Sequence, residues 1–163
     1  MNILTHFDVP DCVGVADMGD GSYMVDTADG GRRVATAEEV LGAAKLATRA
    51  QINAERNRRE QGGFVYAGKT IDSDPVSCQR ISVAGATAQL AIANSVPDYL
   101  VPWTCSDNST LSLDAVGVLG LVQALGVHGL HVHAAAKAHK YAVDALGTVE
   151  AVLAYDYSIG WPE

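Results

Sequence analysis

Four histidines, His128, His131, His133 and His139, crowd one stretch of the chain. Imidazole is a common protein ligand for transition metals, so metal binding is the first chemistry to weigh. The His131-x-His133 triplet reads differently in the two regular structures. In a strand both rings project from one face, where symmetry-related copies can complete a site. In a helix the same two rings point about 200° apart, and His128, His131 and His139 share a face instead. No Asp, Glu or Cys stands beside them in the sequence at ligand spacing. His128, His131 and His133 are therefore weak metal candidates. The expected metal and cofactor content is none, and the histidines read as structural or pH-tuned interface groups.

Catalytic chemistry finds less support. Asp72 and Asp74 form the one close acid pair beside an aromatic, but Asp74 precedes Pro75 and is better explained as a helix N-cap. The acidic series Asp17, Asp20, Asp26 and Asp29 lacks the spacing of a calcium loop and its bidentate Glu, so turn chemistry accounts for it. Cys78 lies on an apolar helical stripe and Cys105 beside a hairpin, and both read as buried, inert thiols. The sequence holds no Gly-x-Ser-x-Gly elbow, phosphate loop or dinucleotide fingerprint. No residue is assigned a catalytic role, and the chain is expected not to be an enzyme.

Binding chemistry is the better match. Trp103, Tyr99, Tyr155, Tyr157 and Trp161 fall in loops, hairpins or the C-terminal end. Trp and Tyr anchor interfaces because they bury much area with few rotatable bonds, and their rings stack on sugars. The competing reading has Trp103 and Trp161 plugging the protein's own small core. Arg56, Arg58 and Arg59 form the one basic cluster, which could grip an acidic partner or simply end a helix where cations suit the dipole.

These residues need elements to hold them. Residues 1–35 read as a β-rich arm, with strands at Ser22–Asp26 and Arg32–Ala35 set between Asp-Gly turns. Thr36 and Glu39 match a capping box, which starts a helix running to about Glu60 and ending at Gly62-Gly63. A small hairpin follows at Phe64–Tyr66 and Thr70–Ile71. Asp74-Pro75 opens a second helix that fades by Asn94, with Cys78, Ile81, Gly85, Ala88 and Ile92 as its buried stripe. A second hairpin, around Asp107-Asn108, carries Trp103. Ser112 or Asp114 then caps a long helix to about Leu146. Within it Gly117, Gly120, Gly126 and Gly129 either permit close contact or break the helix near Gly126–Gly129. Thr148 caps a short last helix. The expected fold is mainly α with small β-hairpins, an α+β chain: an arm over 1–35 and a helical domain over 36–163.

The totals narrow the class. The chain has 163 residues, 11 basic and 19 acidic, for a net charge of −8. That charge disfavours nucleic-acid binding. No stretch approaches 18 consecutive apolar residues, so no membrane span is expected, and no secretory leader is visible. Three widely spaced cysteines suggest reduced thiols in a protein made in cytoplasm. Hydrophobic residues make up 48% but aromatics only 6%, so the expected core is thin and leaves room for partner chains to complete it. Residues 1–35 and 104–163 each carry a net −4, which places the charge at the two ends.

Over residues 50–163 the chain resembles a helical domain family found at the C-terminal end of tailed-bacteriophage tail-fibre proteins. The matching positions are Glu55, Arg56, Arg59, Gly63, Phe64, Tyr66, Gly68, Asp72, Asp74, Ser77, Ile81, Trp103, Asp107, Asn108, Leu111 and Ser112. The resemblance implies a structural virion component in or on the tail fibre or tail tip, made in the host cytoplasm. Its implied partners are other tail proteins, copies of itself (a trimer among the options) and a host surface receptor. The terminal Trp161-Pro162 is similar to the ending of fibre-assembly chaperones, which gives the alternative function. A glycan or cell-wall hydrolase stands a distant third.

Overall fold

In a computed structural model, which describes residues 3–162, the chain is a mixed α+β fold with 51% helix and 19% strand. Its contacts group into two compact units. One comprises residues 1–54 with 136–159, the other residues 55–135 with 160–163. Two long helices, α1 (Ala37–Glu60) and α3 (Ala115–Ala145), contribute residues to both.

In the first unit, strands β1 (Cys12–Asp17), β2 (Tyr23–Thr27) and β3 (Arg32–Val34) form an antiparallel sheet in sequence order. Strand β1 is an addition to the two strands expected in this region. Its Gly14 lies at a register shift, which interrupts the alternation that marks a strand in sequence. The acidic residues serve the turns, as their spacing suggested. Asp20 accepts from the backbone N–H and hydroxyl of Ser22, and Asp29 from Gly31 N–H and the Thr27 hydroxyl. Asp26 instead pairs with Arg32 at 2.6 Å.

The capping box at the start of α1 is formed. Glu39 N–H donates to Thr36 Oγ1 at 3.2 Å, and Thr36 N–H donates to Glu39 Oε2 at 2.8 Å. Arg33 adds a bidentate grip on the same carboxylate, 2.6 and 2.8 Å. The buried face of α1 is small: Ala43, Ala44, Ala47, Thr48 and Ile52. Lys45 Nζ donates to the Asp144 carbonyl at 2.8 Å, which ties α1 to the end of α3. Thr148 caps the short helix α4 (Val149–Leu153) through Ala151 N–H.

The second unit holds two hairpins and the helix between them. Strands β4 (Phe64–Tyr66) and β5 (Lys69–Ile71) pair, as do β6 (Leu100–Thr104) and β7 (Thr110–Asp114). Helix α2 (Pro75–Ala93) begins at Asp74, whose carboxylate accepts from Val76 N–H and Ser77 N–H. The core is formed by Phe64, Ile71, Ile81, Ala88, Cys105, Leu113, Val118 and Leu121. Ile81, Gly85 and Ala88 are buried as expected, but the last turn buries Ala91 and leaves Ile92 exposed. A helix of 3.6 residues per turn drifts over this length, and a step of three keeps the stripe on the core where a step of four leaves it.

Helix α3 runs unbroken across Gly126–Gly129, so close approach is the role left for its glycines, and it applies to some of them. A Cβ on Gly120 would lie 2.6 Å from the Tyr66 hydroxyl oxygen, and one on Gly126 would meet nothing within 4 Å. Asp114, not Ser112, caps the helix, accepting from Gly117 N–H at 2.7 Å. Among the described residues α3 is long and apolar enough to cross a bilayer, with an 18-residue window of mean hydropathy 1.6. Gly, Ala and a few interspersed polar residues interrupt any continuous apolar run yet leave the window average high. Only 22% of that window is buried, so much of this apolar helix faces outward.

Candidate functional site

The sequence-selected aromatics are half-buried, and each of them has neighbours of its own. Tyr99 and Trp103 pack against the core of the second unit. Trp161, in the same unit, stacks under Arg59, whose guanidinium carbon lies 5.2 Å from the ring centroid. Tyr155 and Tyr157 belong to the first unit. The Tyr155 hydroxyl shares a 2.8 Å hydrogen bond with Nδ1 of the buried His139, and the Tyr157 hydroxyl donates to Gln51 Oε1 at 2.8 Å.

Helix spacing organises the basic cluster. Glu55 meets Arg58 one turn on at i+3 and Arg59 at i+4, at 2.7 and 2.6 Å. Hydrogen bonding from Arg58, then from Arg59, holds the Glu55 carboxyl down at about 2, against partial burial that pushes it up. Arg56 turns instead to the side-chain oxygen of its neighbour Asn57, at 2.7 and 3.1 Å.

The histidines divide among separate settings. His128 Nε2–H donates to the Arg59 carbonyl at 3.2 Å, and its ring stacks on Phe64. A carbonyl oxygen can only accept, so the proton sits on Nε2. His133 Nε2–H donates to Glu60 Oε1 at 3.3 Å. His131 is exposed, and His139 is buried beside Tyr155. The shared face expected for His128, His131 and His139 is therefore not a working unit. His128 and His133 do line one groove of about 330 Å³ with Glu60, Cys78, Leu125 and Leu130. Glu60 was missed as a companion because it is remote in sequence and arrives through the fold. Among the described residues no group of three or more His, Cys, Asp or Glu side chains is placed to hold a metal ion. The Cys78 thiol, raised by burial and then by the nearby Asp74 and Glu60 carboxylates, donates to the Ser73 carbonyl at 3.2 Å.

Two surfaces stand out in the second unit. The first is the outward face of α2, where Val76, Val83 and Leu90 recur seven apart and are 54%, 61% and 63% exposed. Gln79, Ala86 and Ala93, also exposed, fill the intervening positions. That is the a/d spacing of a coiled-coil seam, and the sequence carried it as an unread seven-residue period. The second is a recess beside the Trp103 hairpin, reached by Asp72, Ser77, Arg80, Ser106 and Asn108. Arg80 was not singled out in the sequence, although it is the one charge within α2.

A sequence model of a family described as a domain of unknown function, DUF4376, matches residues 43–159. The chain belongs to the DUF4376 family. The DUF4376 match takes in most of α1, both hairpins, α2, the whole of α3 and α4. It thus includes the α2 seam and the Trp103 recess, and it stops short of Trp161. No curated protein and no solved structure matches the chain.

Proposed function

We propose that this chain is a structural virion component of a tailed bacteriophage, in or on the tail fibre or tail tip. In this reading it is made in the host cytoplasm, joins the tail, and works by packing against copies of itself and other tail proteins rather than by catalysis. The observation that carries the reading is the exposed seam of α2. Apolar side chains at heptad spacing lose contact with water when a second helix covers them, and each buried valine or leucine contributes roughly 1.5–3 kcal/mol. The occupant we assign is the same helix of another copy. The protein carries a charge of −8, yet α2 holds Arg80 as its one charged side chain, so copies can meet there without acid facing acid. The sequence resemblance to tail-fibre domains supplies the setting, in which such a fibre or tip also contacts the host surface.

Mass spectrometry of purified virions tests the setting, and light scattering of the isolated chain tests the packing. Stoichiometric presence in the particle together with a defined oligomer is the expected outcome. Absence from the particle, with fibres lost on gene deletion, would replace this reading by that of an assembly chaperone.

A further inference from the structure

The recess beside Trp103 has a volume of about 410 Å³, which suits a small ligand. Its walls are fixed by contacts between the two hairpins. Ser106 N–H donates to the Thr70 carbonyl at 3.0 Å, and the Ser106 hydroxyl donates to Asp72 Oδ1 at 2.5 Å. Lys69 Nζ reaches Asp107 Oδ2 at 3.1 Å, and Asn108 is held at the turn with φ +60. Trp103 lines the recess and is packed against the core, which holds it in place there. Around it stand one carboxylate with an oxygen left over (Asp72), one amide (Asn108) and one hydroxyl that already donates to Asp74 and can therefore accept (Ser77). Arg80 completes the set, and among the described residues no carboxylate lies within ion-pair distance of it.

We infer that this recess binds a pyranose unit carrying a single carboxylate, stacked on Trp103 with its acid group on Arg80. Each part of the ligand follows from a group on the wall. The aromatic face takes the apolar C–H face of a sugar ring. Asp72, Asn108 and Ser77 accept from or donate to ring hydroxyls. The guanidinium fork of Arg80 matches a carboxylate in two parallel hydrogen bonds. A nucleotide would also stack, but its several phosphate charges would face one arginine with Asp72 beside it, in a chain already at −8. A purely apolar ligand would leave the polar wall groups without partners. The inference deepens the host-contact part of the proposed function and rests on it for its biological setting alone.

The test is titration of the 163-residue chain with methyl β-D-glucuronide, methyl α-D-galacturonide and the methyl glycoside of N-acetylneuraminic acid, followed by amide NMR shifts. Methyl β-D-glucoside is the neutral control. At least one acidic glycoside is expected to bind saturably at millimolar concentration, shifting amides of the recess, and to bind roughly tenfold tighter than the glucoside. Arg80→Gln, on an exposed helical position, should remove that preference, and Asn108→Ala should weaken binding of both kinds. Trp103→Leu should abolish binding, but it also cuts into the core, so Arg80→Gln and Asn108→Ala carry the decision. Lack of saturable binding by all three acidic probes, or a preference that survives Arg80→Gln, overturns the inference. Because the titration uses the isolated chain, its outcome is separate from whether the protein is found in virions.

Discussion

Tyr66 occupies the space that a side chain on residue 120 would need. Its hydroxyl donates to the Gly117 carbonyl at 2.7 Å, and a Cβ on Gly120 would lie 2.6 Å from that oxygen. The β4–β5 hairpin is thereby locked onto α3 by one ring and one missing side chain. Gly120→Ala should destabilise the protein by about 1–2 kcal/mol, since the shifted ring loses packing and its hydrogen bond. Gly126→Ala should act oppositely, stabilising by up to about 1 kcal/mol, because helix propensity improves and a Cβ there meets nothing within 4 Å. Urea unfolding of the two variants checks both signs, and equal effects would sink the account.

How much of this was legible beforehand follows the range of each interaction. The capping box of Thr36 and Glu39, the Asp74 cap and the Asx-type turns were readable, because each is settled within a few residues. The role of the α3 glycines was not, because the answer depends on Tyr66, which comes from a different hairpin. The same holds for the Trp103 recess. Trp103 was visible as a candidate with Asn108 on the same hairpin, whereas Arg80 and Asp72 became its neighbours only once α2 and the first hairpin were in place. Expected exposure of the aromatics also shifted: a chain with so few large side chains draws Tyr99 and Trp103 partly into its own core.

Asp74 offers a clean local measurement. Its carboxylate accepts from Val76 N–H at 2.9 Å and Ser77 N–H at 3.2 Å, and takes the Ser77 hydroxyl at 2.5 Å. Asp74→Ala should cost about 1 kcal/mol of stability, and Asp74→Asn, which still caps, less than half of that. Chemical denaturation of the pair decides it. Equal losses would mean that charge, not capping geometry, sets the contribution of this residue.

Three carboxylates give the stability a defined acid limb. Glu39 is held at about 2, first by hydrogen bonding from Arg33, and Glu55 at about 2, first by hydrogen bonding from Arg58. Asp107 is held at about 2, first by the Ser109 hydroxyl. All three are depressed relative to the unfolded chain, so the unfolded state takes up protons first as pH falls. Their contribution is present in full above about pH 5 and is lost between about 4.5 and 2. Melting temperature should therefore be nearly flat with respect to these groups above pH 5 and fall below it. Glu55→Gln should lower the plateau and shallow the acid limb, and an unchanged limb would contradict the assignment for that residue.

The seam on α2 makes the sharpest demand on the proposed assembly. Val83 and Leu90 are exposed and contribute nothing to the core around Ile81, Gly85 and Ala88, so charging them should leave the fold intact. In an oligomer sealed through this face, the combined variant Val83→Asp, Leu90→Asp sets buried like charges against one another. Association should then weaken by at least about 100-fold, since burying unpaired charge costs several kcal/mol. Exposed Thr87→Asp, one turn beyond Val83 and flanking the seam, should have a smaller effect. Sedimentation equilibrium reports the assembly, and circular dichroism of the same samples verifies the fold. A doubly charged variant that folds and still associates like the parent chain would move the interface away from α2, leaving the apolar outer face of α3, with Val127 and Leu130, as the surface to mutate next.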